Sequence, residues 1–247
     1  MALINLEVLN RFSRLIKSGR LAHAYLLAGP KGIGKSETAF SVAKLVNCEE
    51  RLRDESLADE KRIAGEHGDA CEQCSSCIKI NSGNHPDVYR IDCKDAESIK
   101  ITQIRELITR LQMRAFEAAT KICIIKDIEN LTAESSNALL KTLEEPAKGT
   151  LMILTTSLPE DNLKTVVSRC HVMKFYPLSV PVVRERLMKD GLDIKSAQFL
   201  AQFSQGCIGK ARELNEDGFM KTKNAVIDNL IFSQNSDTYL KKILADK

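Results

Sequence analysis

One stretch constrains this chain more than any other: Gly29-Pro30-Lys31-Gly32-Ile33-Gly34-Lys35-Ser36. It satisfies G-x-x-x-x-G-K-S/T at every fixed position. Before it, Ala24 to Ala28 is a short apolar run that reads as a buried strand. After it, Glu37 to Val46 reads as a helix with Val42, Ala43, Leu45 and Val46 on its apolar side. Strand, glycine loop and helix in that order make a phosphate cradle, because backbone N–H groups turn inward and the helix start adds its positive end. In this reading Lys35 reaches the β- and γ-phosphates and Ser36 holds Mg²⁺. The bland alternative is a tight turn that binds nothing.

The 247 residues suit one large domain or two smaller ones. With 43% hydrophobic and 28% charged residues, the composition is that of an ordinary globular protein. A net charge of +3 is too small to announce nucleic-acid binding by itself. No apolar run approaches the length of a membrane span, and Met1 to Glu7 lacks the charged-then-apolar order of a secretory signal. The expectation is a cytoplasmic protein with no membrane partner. Eight cysteines then point to metal, since disulfides do not persist in a reducing compartment.

Three of those cysteines, Cys71, Cys74 and Cys77, form C-x₂-C-x₂-C, a spacing that wraps thiolates around one tetrahedral Zn²⁺. A fourth ligand must come from elsewhere. Cys48 is the first choice, because the charged run Glu49 to Asp69, a solvated loop or frayed helix, can loop out between it and Cys71. His67, His85 and Cys93 are rivals. Free thiols and an iron–sulfur cluster are the other readings. No nucleophile arrangement surrounds these cysteines, so the site reads as structural.

Elsewhere the periodicity alternates. Glu7 to Ser18 carries Val8, Phe12, Leu15 and Ile16 as a helical stripe that Gly19 stops. His23 precedes the first strand, as a packing residue or an adenine or phosphate contact. Strands are expected at Val88–Ile91, Lys121–Lys126, Thr150–Thr156 and His171–Phe175. Helices are expected over Ile101–Ala115, with Thr102 as cap, and over Thr132–Glu145, ended by Pro146. Strands separated by helical segments predict an α/β fold, a parallel sheet with helices on both faces. Tyr176-Pro177-Leu178 ends the strand pattern. Val180–Lys189, Ile194–Phe203 and Gly209–Asn215 then read as helices of a small all-α domain.

Several segments together resemble the clamp-loader branch of the AAA+ ATPases. They are Arg20 to Leu26, the cysteine insert, Asn84-His85-Pro86-Asp87, Ser136 to Pro146, and Ser168-Arg169-Cys170, spread over about residues 8 to 215. The resemblance implies an AAA+ phosphate-loop domain at 1–176 with an inserted zinc module at 48–77, a helical lid at 177–217, and at 218–247 the start of a collar domain that is truncated or missing. It implies zinc at Cys48, Cys71, Cys74 and Cys77, and ATP or ADP with Mg²⁺ at Gly29–Ser36. It implies a partnership with other clamp-loader subunits in a hetero-pentamer, and through them with a sliding clamp and primed DNA. Arg169 matches the family's Ser-Arg-Cys arginine, which reaches across to a neighbour's ATP. Thr155 or Thr156 fits the polar sensor, and Lys210 the second sensor region.

One departure bears on mechanism. Active members end the strand here read as Lys121–Ile125 with Asp-Glu, for the metal and the attacking water. This chain has Lys126 and Asp127 there. A slide by one residue puts Asp127 at the metal and leaves Ile128 as the base. Either register loses a catalytic part, so the resemblance implies weak or absent hydrolysis, with Asp127 as the remnant of the acid pair. The rival readings are an active motor subunit, a stand-alone nucleotide-binding regulator, and a zinc-dependent nucleic-acid binder. The last is opposed by the neighbourhood of the cysteines, Glu66, Asp69, Glu72 and Lys79, which is not basic.

Overall fold

The phosphate-loop strand lies inside a five-stranded sheet whose order is β2-β3-β4-β1-β5. The strands are β1 (Ala24–Ala28), β2 (Val88–Ile91), β3 (Lys121–Ile125), β4 (Thr150–Thr156) and β5 (His171–Lys174), and every pairing is parallel. The computed structural model describes residues 5–53, 70–93, 98–158, 164–219, 222–223 and 225–226. The chain folds as two units, Met1–Tyr176 and Pro177–Lys247.

β1, β3 and β4 are buried along their whole length, which is why they read as unbroken apolar runs rather than as alternating ones. On one face, Leu26, Cys123, Ile125, Met152 and Leu154 pack with Ile104, Leu107 and Leu111 of α5 (Ile101–Gln112) and with Leu139 and Leu143 of α6 (Ala133–Glu144). α1 (Leu6–Lys17) and α2 (Lys35–Asn47) pack together, and Phe12 of α1 meets Tyr25 of β1 edge-on at 4.6 Å. The Asn5 side chain caps α1 by accepting from Val8 N.

α5 starts at Ile101 as expected, but its cap and its end differ from expectation. Ile99 is fully buried in a parallel bridge to Leu131, so the helix starts only at Ile101. Lys100 is the cap residue, its N–H donating to the Gln103 side chain, and Thr102 lies inside the first turn. The helix stops at Gln112, short of Ala115, because two side chains hold the next loop. The buried Lys121 ammonium donates to the carbonyls of Arg110, Leu111 and Met113 at the helix end, where carbonyls lose their intrahelical donors. The Asp87 carboxylate accepts the backbone N–H groups of Phe116, Glu117 and Ala118 at 2.8–2.9 Å. Burial by itself would push the Asp87 carboxyl up, but these three donors win and hold it below the usual carboxylate range.

The remaining helices of the first unit are α3 (Glu49–Arg53), α4 (Ser75–Ser82) and α7 (Lys164–Val167). Residues 54–69, most of the expected charged loop, lie outside the described residues. The second unit carries α8 (Val180–Lys189), α9 (Ile194–Phe203) and α10 (Ile208–Glu216), with Asp193 capping α9. Most of 218–247, read as the start of a collar, lies outside the described residues. Among the described residues no helix is long and apolar enough to cross a membrane.

Candidate nucleotide and metal sites

The glycine loop leaves β1 where Ala28 pairs with Thr156 of β4 on one side and Lys174 of β5 on the other. This is the carboxyl edge of a parallel sheet, where α/β folds hold ligands. Gly29 N donates to Thr156 O at 3.1 Å. A Cβ at Gly29 would stand 2.6 Å from Phe175 O, so a side chain there would displace backbone. Gly32 and Gly34 have φ of 75° and 97°, the left-handed region open to glycine, and α2 begins directly after Gly34. The Lys35 side chain is buried. Its Nζ donates to Gly29 O at 2.6 Å, Pro30 O at 2.9 Å and Ser157 Oγ at 3.4 Å. Binding phosphate there means exchanging loop carbonyls for phosphate oxygens. Ile33 is buried, Pro30 and Ser36 are half-buried, and Lys31 is exposed.

Beside the loop lie the ends of β3 and β4. Asp127 is left-handed, with φ 49° and ψ 64°, and its N–H donates to Thr155 Oγ1 at 3.0 Å. Thr155 and Thr156 are fully buried, so Thr155 supports Asp127 while Thr156 supports Gly29. Ile128 turns into the core, and Glu129 returns to the sheet edge. There its Oε1 accepts Ser157 N at 2.9 Å, while its Oε2 is buried with no hydrogen-bond partner. Register therefore gathers Gly29–Ser36, Asp127, Thr155 and Thr156 at one edge and adds Glu129, which the sequence reading passed over. The available signal was an acid two positions beyond Asp127, at the end of a buried strand.

Lys210 is exposed on α10 of the second unit. His23 precedes the opposite end of β1, with Nε2 3.0 Å from Leu143 O, which makes it a packing and hydrogen-bonding residue rather than a phosphate contact.

Arg169 follows α7 and stands two residues before β5. Its Nε donates to Glu144 Oε1 at 2.8 Å, its Nη1 to Thr165 O at 2.8 Å and to Ser168 Oγ at 3.2 Å, and its Nη2 also pairs with Glu144. The arginine side chain remains 32% exposed and the glutamate 49%, so this is a surface pair that contributes little to stability. His171 of β5 pairs with Tyr25, and Gly29 lies four residues further along β1. Arg169 sits in the turn before β5, and the strand residues from Tyr25 to Gly29 put about 13 Å between the level of His171 and the chain's own glycine loop.

The cysteines converge as expected. The sulfurs of Cys48, Cys71, Cys74 and Cys77 all lie within 4.8 Å of one another. Four thiolates about 2.3 Å from one Zn²⁺ stand about 3.8 Å apart, so a small contraction closes the site and the donor set fits the ion. Backbone N–H groups of Cys71, Cys74 and Cys77 donate to the sulfurs of Cys48, Cys71 and Cys74 in turn. Burial works against ionisation at Cys71, but the backbone N–H groups of Gln73 and Cys74 and the Cys74 and Cys48 thiols pull it to about 7. Burial pushes the Cys48 and Cys77 thiols up, so an ion is what makes them ligands. Lys44 pairs with Glu72, and Glu49 accepts Ser76 N, pinning the knuckle to its flanking helices. Of the rival ligands, His85 is engaged with Asp87 N and Glu117, Cys93 follows β2 outside the cluster, and His67 lies outside the described residues.

The family described as DNA polymerase III, delta subunit matches residues 4–179. The delta' subunit of Bacillus subtilis DNA polymerase III is 35% identical over 213 residues, covering 86% of this chain and 60% of that protein. The tau subunit of Escherichia coli is 29% identical over 216 residues, covering 85% of this chain and 31% of the relative. The chain therefore spans well under two thirds of these relatives. A gamma-subunit-related protein of Thermotoga maritima superposes with a TM-score of 0.51 at 20% identity, covering 78% of this chain and 57% of that one. The RuvB branch-migration motor of the same organism gives 0.50 at 17%, covering 86% and 61%. At such identity these two likenesses speak for the fold alone. With a phosphate-loop sheet, a four-cysteine knuckle and a matched span that takes in most of its length, the chain belongs to the DNA polymerase III delta-subunit family of AAA+ clamp-loader proteins.

Proposed function

We propose that this chain acts as a delta-prime-like subunit of the DNA polymerase III clamp loader. It joins delta and gamma/tau subunits in a hetero-pentamer that uses ATP to place the sliding clamp on primed DNA. Residues 1–176, with the zinc module at 48–77, form the nucleotide-binding domain, and 177–217 form the lid. Its main contribution is Arg169, offered in trans to a neighbour's ATP, where a guanidinium stabilises charge on the γ-phosphate.

The observation that carries this reading is the placement of Arg169. It is partly exposed and precedes β5, whereas the chain's own glycine loop follows the far end of the paired β1, about 13 Å of strand further on. The chain's own site keeps Gly29–Ser36 for ATP or ADP with Mg²⁺, with Thr155 or Thr156 as polar sensor and Lys210 as second sensor. Lys126 stands where a motor needs a metal-facing acid, a cation beside a cation, and Asp127 lacks its partner. Hydrolysis by this subunit is accordingly weak or absent. Cys48, Cys71, Cys74 and Cys77 hold a structural Zn²⁺.

The test is reconstitution with the delta and tau subunits of the same organism. Arg169→Ala should assemble normally and lower ATP turnover of the complex. Unchanged turnover in an assembled complex removes the trans role, and failure of the wild-type chain to assemble removes the whole reading. The isolated chain should show little ATPase. Brisk turnover abolished by Lys35→Ala would make it a motor instead.

A further inference from the structure

The sheet edge beside the glycine loop holds a buried carboxyl oxygen that no donor among the described residues satisfies. Glu129 Oε1 accepts Ser157 N at 2.9 Å, but Glu129 Oε2 is buried and has no donor. A buried carboxylate oxygen without a partner is costly, and its presence calls for a ligand. Its place is fixed by register. Ser157 is the residue after β4, whose last residue, Thr156, accepts Gly29 N, and Ser157 Oγ accepts from Lys35 Nζ. The orphaned oxygen thus belongs to the group that holds the loop carrying the phosphate-binding lysine.

We propose that Glu129 supplies the carboxylate that a nucleotide-bound divalent cation requires in this chain, in place of the acid that Lys126 displaces. The left-handed turn at Asp127 makes this possible. It drops Ile128 into the core and returns the chain to the sheet edge two residues later, where Glu129 meets Ser157. Mg²⁺ keeps much of its water shell and needs only one or two carboxylates besides phosphate oxygens, so a carboxylate acting through metal-bound water suffices. Glu129 then holds the metal through Oε2 and the end of β4 through Oε1. A metal held this way favours occupancy of the site without restoring a base for hydrolysis.

This inference rests on the nucleotide reading of the glycine loop, and the experiment separates the two. Affinity for a fluorescent ADP is measured for the wild type, Glu129→Gln and Asp127→Asn in EDTA and in Mg²⁺, with Mn²⁺ binding to the ADP complex followed by electron paramagnetic resonance. Glutamine keeps an acceptor for Ser157 N but removes the charge. Glu129→Gln should bind ADP like the wild type in EDTA, lose most of the gain conferred by Mg²⁺, and bind Mn²⁺ about tenfold more weakly. Intact metal dependence in Glu129→Gln overturns the inference and leaves the nucleotide site standing, as does a loss confined to Asp127→Asn. A wild-type chain that binds ADP neither with nor without metal overturns both.

Discussion

The cysteine knuckle and the glycine loop are built from equally recognisable stretches, yet they complete themselves differently. The knuckle draws three ligands from one short turn and the fourth from the residue that ends α2, and its sulfurs already stand close enough to share an ion. The glycine loop is whole by itself, but the groups around it come from Asp127 and Glu129 after β3 and from Thr155 and Ser157 at the end of β4, two strand ends far from the loop in sequence. A site made of near neighbours is set by spacing. A site made at a sheet edge is set by register, so one residue at the end of β3 changes its chemistry while the loop stays intact.

That contrast predicts a knuckle that bears stability and a loop that bears ligand. The largest effect should follow Cys77→Ser: zinc content falls from one equivalent towards zero and the melting temperature drops by about 10 °C, or about 3 kcal/mol or more. Retained stability after zinc loss would make the knuckle dispensable and break the contrast. Lys35→Ala should weaken ADP binding about 10- to 100-fold by removing a charged donor, while costing the ligand-free fold only about 1 kcal/mol through the lost carbonyl contacts. A calorimetric titration together with a melt reads both. Collapse of the fold would show that the loop carries structure as well.

The smallest of the three concerns Asp87, which braces the loop before β3. Asp87→Asn should cost about 2 kcal/mol near neutrality, because an amide group would face backbone donors. The folded carboxyl titrates below its unfolded value. Its contribution is therefore fully present above the unfolded pKa of about 3.9 and is lost as pH falls through the lower folded value. Urea unfolding of both proteins between neutrality and pH 3 should show the gap closing only at the acid end. A gap that is constant with pH would mean that the ionised carboxylate is not what braces the loop.

Fold class was legible because β1, β3 and β4 are buried throughout and read as apolar runs, and because helical stripes such as Ile104, Leu107 and Leu111 repeat at helical spacing. The strand order was not legible, since β4 enters between β3 and β1 and no local pattern announces it. The start of α5 was read correctly, but its cap was misread as Thr102, because Ile99 is held by Leu131, a residue far along the chain, and Lys100 is left at the cap. Lys121 read as the polar start of a strand, yet its ammonium finishes the helix before it. At the candidate site the glycine loop and the four cysteines carry their own spacing. Glu129 was missed because its meaning lies in Ser157, 28 positions away, and in an oxygen that no donor among the described residues satisfies.

The distance between Arg169 and the glycine loop along the same parallel strands has a geometric corollary. A body that gives at one end and receives at the other cannot pair face to face through those ends; it can only queue. Contacts of that kind are heterologous, and they close into a circle only when the successive rotations add up to a full turn. If Arg169 serves a neighbour as proposed, the common direction in which β5 and β1 run gives each member of such a queue a front and a back.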